Sequence, residues 1–228
     1  MALTLTFHGH ATFSLDIDGT HVVVDPFFAP NNPMAKKTAA DISADYILQT
    51  HGHGDHIADT VPLAQRTGAL VIANFEIANW LGAKGVEKVH PQHLGGGYNH
   101  PIGYVKMTPA LHGSGLPDGS YGGMPGGFLL HVAGKKVYFS GDTAVFSDMK
   151  LIGDAGIDLA VLPIGDNFTM GPDDSLLAIK FLRPKVVVPC HYNTWPPIEQ
   201  DAAAWAERVH AETDATPIVL NAEESYTL

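Results

Sequence analysis

The chain has a single cysteine, Cys190, so no internal disulfide framework can exist. No apolar run approaches the roughly 18 residues that a membrane-spanning helix needs. The opening Met-Ala-Leu-Thr-Leu-Thr-Phe has neither a basic segment nor a long apolar one. No signal peptide is read there, and a cytoplasmic location is the resulting expectation. Basic residues are scarce: 13 Lys and Arg stand against 24 Asp and Glu, a formal charge of −11. Nucleic acid is a poor partner for such a chain, because a phosphate backbone calls for a basic footprint. A small anionic substrate stays open, since bound divalent cations can reverse the local field.

What is present is an ordinary globular balance, 45% hydrophobic and 16% charged over 228 residues, together with 13 histidines. The length suits one domain over residues 1–228 whose halves, roughly 1–110 and 111–228, share a core. Short β-rich runs dominate. Leu3–Phe7, Phe13–Ile17 and His21–Val24 read as an opening meander with a turn at Asp18-Gly19. Tyr46–Gln49, Leu70–Ala73, Val86–Val89, Tyr104–Thr108, Gly127–Val132, Lys136–Phe139, Leu159–Leu162, Val186–Val188 and Ile218–Leu220 continue the series. Helical periodicity appears in Ile57–Arg66, Phe75–Leu81, Phe146–Ala155, Asp173–Leu182 and Ile198–Glu212. Meanders followed by β-α alternation predict an α/β (α+β) architecture, mixed sheets with outer helices. A faint repeat supports two similar halves, with chance likeness of strand patterns as the alternative. Val22-Val23-Val24-Asp25 and Val137-Tyr138-Phe139-Ser140-Gly141-Asp142 both run apolar into an aspartate, and Asp45–Leu48 and Asp158–Leu162 follow about twenty residues later.

The densest chemistry is Thr50-His51-Gly52-His53-Gly54-Asp55-His56, directly after the strand Ile47–Gln49. In extended chain, residues two apart share a side, so His51 and His53 can grip one ion together. Gly52 and Gly54 are read as freeing the backbone to turn between ligands. Asp55 and His56 fall where a helix begins, whose first turn can aim them at a second position. Imidazole and carboxylate suit Zn first, with Mn, Fe or Ni as alternatives. Three more candidates follow apolar strands: His112, Asp142 and His191. Each alone reads equally as a ligand or an ordinary polar loop residue. Together they share one address, the carboxyl ends of strands, where α/β sheets place ligand sites.

His51-x-His53-x-Asp55-His56, then His112, Asp142 and His191 in that order, resembles the metallo-β-lactamase superfamily. The resemblance implies a four-layer αββα sandwich. It also implies a first metal held by His51, His53 and His112, a second by Asp55, His56 and His191, and Asp142 bridging both. Gly9-His10-Ala11, Val24-Asp25-Pro26-Phe27 and Ile164–Gly171 are most similar to its small metal-dependent hydrolases related to sugar-phosphate lactonases. Two ions roughly 3.5–4 Å apart can share a water and present it as hydroxide to a small-molecule ester, lactone or phosphoester. Asp55 is then the group that orients this hydroxide and takes its proton.

By the same resemblance His10 lies on the metal face, either supporting catalysis or contacting substrate, or else making a plain structural hydrogen bond. Asp25 is expected to orient a ligand histidine. Asn167, Thr169, Tyr192 and Trp195 are candidate pocket residues, although Trp195 before Pro196-Pro197 reads equally as packing. Cys190 alternates away from His191 and is expected to be a buried, inert thiol. His8, His21, His90, His93, His100, His131 and His210 are read as surface or structural. Gly113–Gly127, with seven glycines, is a long central loop, and its Gly122–Gly127 stretch is either a flap or a turn. Self-association into a homo-oligomer would use this loop or an exposed sheet edge. Two rival functions remain: an iron-dependent oxidoreductase on the same scaffold, and a non-catalytic metal- or ligand-binding module. Loss of Asp55 or His56 would favour the first and missing ligands the second, and all seven candidates are present.

Overall fold

The computed structural model describes residues 2–228. The opening meander forms β1 (Leu3–Gly9), β2 (Thr12–Ile17) and β3 (Thr20–Val24), and parallel additions follow as β4 (Tyr46–Leu48), β5 (Leu70–Asn74) and β6 (Val89–Gln92). Between them lie α1 (Gly54–Ile57), α2 (Thr60–Thr67) and α3 (Phe75–Ala83). The second half runs β7 (Gly97–His100), β8 (Gly103–Pro109), β9 (Gly126–Val132) and β10 (Lys135–Phe139), then α4 (Met149–Gly153), β11 (Leu159–Pro163), α5 (Pro172–Leu182) and β12 (Val186–Cys190). It closes with α6 (Ala202–Glu212), β13 (Thr216–Pro217) and β14 (Ser225–Thr227). The two seven-stranded sheets have orders β14-β1-β2-β3-β4-β5-β6 and β13-β12-β11-β10-β9-β8-β7. In each, an antiparallel meander passes into parallel strands.

Strand alternation builds the layers. Leu3, Leu5, Phe7, Phe13 and Leu15 meet Val105, Met107, Phe128 and Leu130 in a core between the sheets. A second core packs α4, α5 and α6 on one sheet around Tyr138, Leu162 and Trp205. A third packs α1, α2 and α3 on the other around Ile47, Leu63 and Leu81. The result is the four-layer αββα sandwich. Each fully buried side chain of this size contributes about 1.5–3 kcal/mol.

One hydrogen-bond device occurs in both halves. Asp45 N–H donates to His21 O, and His21 N–H returns to Asp45 Oδ2, both at 2.8 Å. Asp158 and Lys136 repeat this pair at the same two distances. Each aspartate thereby fixes where a parallel strand starts, and so where its carboxyl tip ends.

Several elements differ from the sequence expectation. Val86 is core, its N–H closing α3 on Leu81 O after Gly85 turns at φ 86°, so the strand begins only at Val89. Helix Ile57–Arg66 breaks at Asp59, whose carboxylate accepts Phe28 N–H at 2.7 Å. Helix Phe146–Ala155 shrinks to α4. Helix Ile198–Glu212 starts at Ala202, where Asp201 caps Ala203 and Ala204 N–H. No strand forms at Ile218–Leu220; the two-residue β13 lies just before it at Thr216–Pro217, and Leu220 turns into the inter-sheet core. Strands β7 and β14 carry no apolar alternation and were not anticipated. No helix among the described residues is long and apolar enough to cross a membrane.

Candidate metal centre

All seven candidate ligands converge at one edge of the sandwich, on segments following β4, β8, β10 and β12. Ring nitrogens of His51, His53 and His112 form one close group; ligand atoms of Asp55, His56 and His191 form another, joined by His10. Between the groups lies the buried Asp142. Its Oδ2 is 3.0 Å from His191 Nε2, 3.3 Å from His56 Nε2, 3.5 Å from His112 Nε2 and 3.9 Å from His51 Nε2. Ligand atoms about 2.1 Å from a common ion at tetrahedral angles are roughly 3.4 Å apart, so this spacing suits metal coordination.

The protons agree with that reading. The Thr50 hydroxyl has one hydrogen, given to Asp25 Oδ2 at 2.6 Å, so at 2.9 Å it accepts from His51 Nδ1–H. His56 Nδ1–H donates to the same Asp25 oxygen at 2.8 Å. Both rings therefore turn an Nε2 lone pair into the site. Both Nε2 atoms are buried without a hydrogen-bond partner among the described residues. An orphaned buried lone pair is costly unless something such as a cation meets it. His112 Nε2 and His53 Nδ1 lie 3.2 Å apart beside this group.

Asp25 orients this set from behind. Its Oδ1 accepts Thr50 N–H at 2.8 Å and Gln49 Nε2–H at 3.1 Å, so with the two donors to Oδ2 every acceptor position is used. Its role is to fix His56, Thr50 and, through Thr50, His51. Gln49 is fixed in turn by Thr60 Oγ1–H at 2.6 Å.

His10 supports Asp55. Its buried ring donates Nε2–H to Asp55 Oδ2 at 3.1 Å and accepts Thr194 Oγ1–H at Nδ1 at 2.7 Å, leaving no nitrogen for a metal. Burial lowers His10 to about 4, which keeps it neutral in this pairing. Burial pushes the Asp55 carboxyl up, but hydrogen bonds from His10 and His191 outweigh it and hold the group below the usual carboxylate range. Burial likewise opposes charge on His56 and His191, yet Asp142 beside them wins: His56 rises well above its ordinary value and His191 to about 9. The field at this point favours positive charge. His10, Asp25 and His191 adopt left-handed backbone, with φ of 58°, 47° and 53°. Such conformations in residues other than glycine cost on the order of 1 kcal/mol each and concentrate at functional sites.

A cavity of ≈ 480 Å³ opens over the centre. His53, Asp55, His112, Asp142 and His191 form its floor; Phe168, Trp195 and Pro197 form its walls. Trp195 also packs edge-on against His10, ring centroids 4.9 Å apart. Three anticipated pocket residues are elsewhere: Tyr192 is buried in the α4–α6 core, and Asn167 and Thr169 are displaced from the walls by Phe168 between them. The glycines act differently from expectation. Neither Gly52 nor Gly54 has positive φ; a side chain at Gly52 would come within 3.0 Å of Leu116, and Gly54 faces open space. The Gly-rich loop is tied down, Ser114 Oγ accepting Gly52 N–H at 3.1 Å and Asn74 holding the carbonyls of Gly122 and Met124. Cys190 is buried in the inter-sheet core, and burial pushes its thiol well up.

Residues 20–192 match the Beta-lactamase superfamily domain. The chain belongs to the metallo-β-lactamase superfamily. It is 48% identical to a metal-dependent hydrolase of the UPF0173 group from Bacillus cytotoxicus, over 99% of this chain and 100% of that protein. A Thermus thermophilus hydrolase of the same group is 52% identical over 88% of each chain. Among solved structures, a metallo hydrolase from the archaeon Ignicoccus hospitalis superposes with a TM-score of 0.91 at 36% identity, covering 100% of this chain and 99% of that one. The protein is thus a metal-dependent hydrolase of this superfamily, with His and Asp groups able to bind metal.

Proposed function

We propose that the centre holds two divalent cations and hydrolyses an ester, lactone or phosphoester bond in a small molecule. The observation that carries this reading is Asp142: one buried carboxylate oxygen lies within 3.9 Å of Nε2 atoms from both histidine groups, as a shared ligand would. His51, His53 and His112 would hold one cation and Asp55, His56 and His191 the other. Two such cations, Zn from the donor set with Mn, Fe or Ni as alternatives, would bring the pKa of water toward neutrality and polarise the substrate's oxygen. Asp55 lines the cavity floor with Oδ2 held by His10, a position from which its carboxylate would orient water and take its proton. Asp55 can then return that proton to the leaving oxygen. His10, backed by Thr194, keeps the carboxylate in place and ionised. Among the described residues no Lys or Arg lines the cavity, which with the −11 charge supports a small-molecule substrate over nucleic acid.

Elemental analysis of the purified protein tests the dinuclear reading. Close to two ions per chain are expected, falling with His51→Ala; one ion in the intact protein sinks it. For Asp55, the expected result of Asp55→Asn is a loss of rate much larger than its loss of metal, measured with metal in excess, and unchanged turnover would remove its role.

A further inference from the structure

The walls above the centre narrow the choice of substrate. Five loops meet at this edge: 49–53 after β4, 110–125 after β8, 140–148 after β10, 164–171 after β11 and 191–201 after β12. None of them contains a single Lys or Arg, whereas they carry Asp118, Asp142, Asp148, Asp166, Glu199 and Asp201. The loop after β3 does hold Lys36 and Lys37, but Lys37 is paired with Glu223 at 3.0 Å, and neither lines the cavity. A phosphorylated substrate would find no Lys or Arg on these loops to receive the charge that the metals do not contact. Sites for such groups normally supply Arg, Lys or a helix terminus.

The same edge is rich in unburied apolar surface. Phe168 is 58% exposed and Trp195 36%, both on the cavity wall, with Pro197 beside them. Large apolar side chains left in contact with water around a cleft mark the place where a ligand covers them. Trp195 is braced from behind by His10 and by Phe27 at 6.3 Å between ring centroids, so one aromatic face is presented in a fixed orientation.

Building on the hydrolytic reading, we infer that the substrate is an uncharged ester or lactone with an aromatic or similarly apolar group beside the scissile carbonyl, not a phosphorylated compound. The apolar group stacks between Phe168 and Trp195 while the carbonyl reaches the floor. In the reaction the water oxygen bonds to the carbonyl carbon and the bond from that carbon to the leaving oxygen breaks. One water proton passes through Asp55 to the leaving oxygen; the other leaves to solvent as the product acid ionises.

The test uses the metal-loaded protein with three probes: dihydrocoumarin, an uncharged aryl lactone; phenyl phosphate; and β-tetralone, the ketone analogue of dihydrocoumarin that cannot be hydrolysed. Expected are a kcat/KM for dihydrocoumarin at least about 100-fold above that for phenyl phosphate, and calorimetric binding of β-tetralone. Phe168→Ala, at an exposed position that does not threaten folding, is expected to weaken both by about tenfold, the scale of one aromatic contact. Phenyl phosphate turned over as well as dihydrocoumarin, or β-tetralone binding untouched in Phe168→Ala and Trp195→Ala, overturns the inference. Turnover of neither compound, with β-tetralone still bound through Phe168, supports the pocket preference and sinks the hydrolytic reading, so the two fail separately.

Discussion

Two clusters in this protein each join buried histidine to a carboxylate and a hydroxyl, and only one is suited to metal. Around His8, Nδ1 meets Glu223 Oε1 at 3.0 Å and Nε2 meets Ser14 Oγ at 2.8 Å, while Lys37 holds the other Glu223 oxygen. Every ring nitrogen has a protein partner. In the metal centre, His51 and His56 each have one nitrogen anchored through Asp25 and the other left bare. A buried imidazole lies beside a carboxylate in both places, His8 at 2% exposure as against 0% for His51 and His56. What separates them is the account of lone pairs: a closed account makes a structural clasp, an open one makes a site. The hydrogen-bonded sequence Ser14–His8–Glu223 even has the connectivity of an acyl-transfer triad. Yet Ser14 is mid-strand in β2, paired to Thr6 on one side and Val23 on the other, away from any strand tip or helix start that would offer N–H groups to an oxyanion.

The sharpest way to break this comparison is to damage each cluster and weigh the metal. Asp142→Ala removes the oxygen shared by both histidine groups. Metal content is expected to fall below one ion per chain and hydrolysis by on the order of 10³-fold, since several kcal/mol of charge stabilisation go with it. His8→Gln is expected to keep its full metal complement. Equal metal loss in both variants, read by elemental analysis, would erase the distinction.

A smaller effect probes the anchoring side of the open cluster. Asp25→Asn leaves every proposed ligand in place but withdraws the acceptor for His56 Nδ1–H and the Thr50 hydroxyl. Metal affinity is expected to drop about 10–100-fold. Competition against a chelator of known affinity measures it, and an unchanged constant would show that Asp25 only packs.

How much of this was legible beforehand follows from the distance over which each feature is encoded. His51, His53, Asp55 and His56 fall within six residues at a strand tip, so their grouping is a local property that alternation reveals. His112, Asp142 and His191 were recognisable as strand-tip residues, but their meeting at one oxygen depends on sheet order, which no local pattern carries. Thr194 is invisible from sequence because it supports His10 across 184 residues. The exchange of Asn167 for Phe168 on the cavity wall is a one-residue rotation of a loop whose Asp166 and Asn167 both have positive φ, 62° and 53°. β7 escaped notice because Gly97, Tyr98 and Asn99 are exposed, and β14 because its pairing partner β1 lies at the other end of the chain. Edge strands held mainly by backbone bonds leave little hydrophobic period to read.

Turning to the closed cluster, Glu223→Gln is expected to cost about 1–3 kcal/mol of stability, because a buried His8 nitrogen loses a charged acceptor and Lys37 its counter-ion. The denaturant midpoint should fall at constant metal content. A midpoint unchanged from the parent would mean that the clasp does not hold β14 to β1.

The smallest and most specific effect is in pH. Burial lowers His8 below its ordinary value of 6.5, the Glu223 carboxylate countering only in part. The unfolded chain therefore takes up the proton more readily than the folded one. The stability contribution of neutral His8 is complete above pH 6.5 and declines as pH falls below it. Glu223 acts in the same direction further into acid, since burial raises its carboxyl but His8 and Lys37 outweigh it and bring it below 4.5. His8→Gln removes the first of these titrations. The stability advantage of the parent over this variant should accordingly narrow between pH 7 and pH 5, by at most about 1.4 kcal/mol per pH unit. Urea unfolding of both proteins at matched pH reads the difference directly, with metal held saturating so that the ligand histidines contribute equally to each. An advantage that stays constant or widens on acidification would show that His8 is charged within its clasp, and that the two clusters differ in more than their open nitrogens.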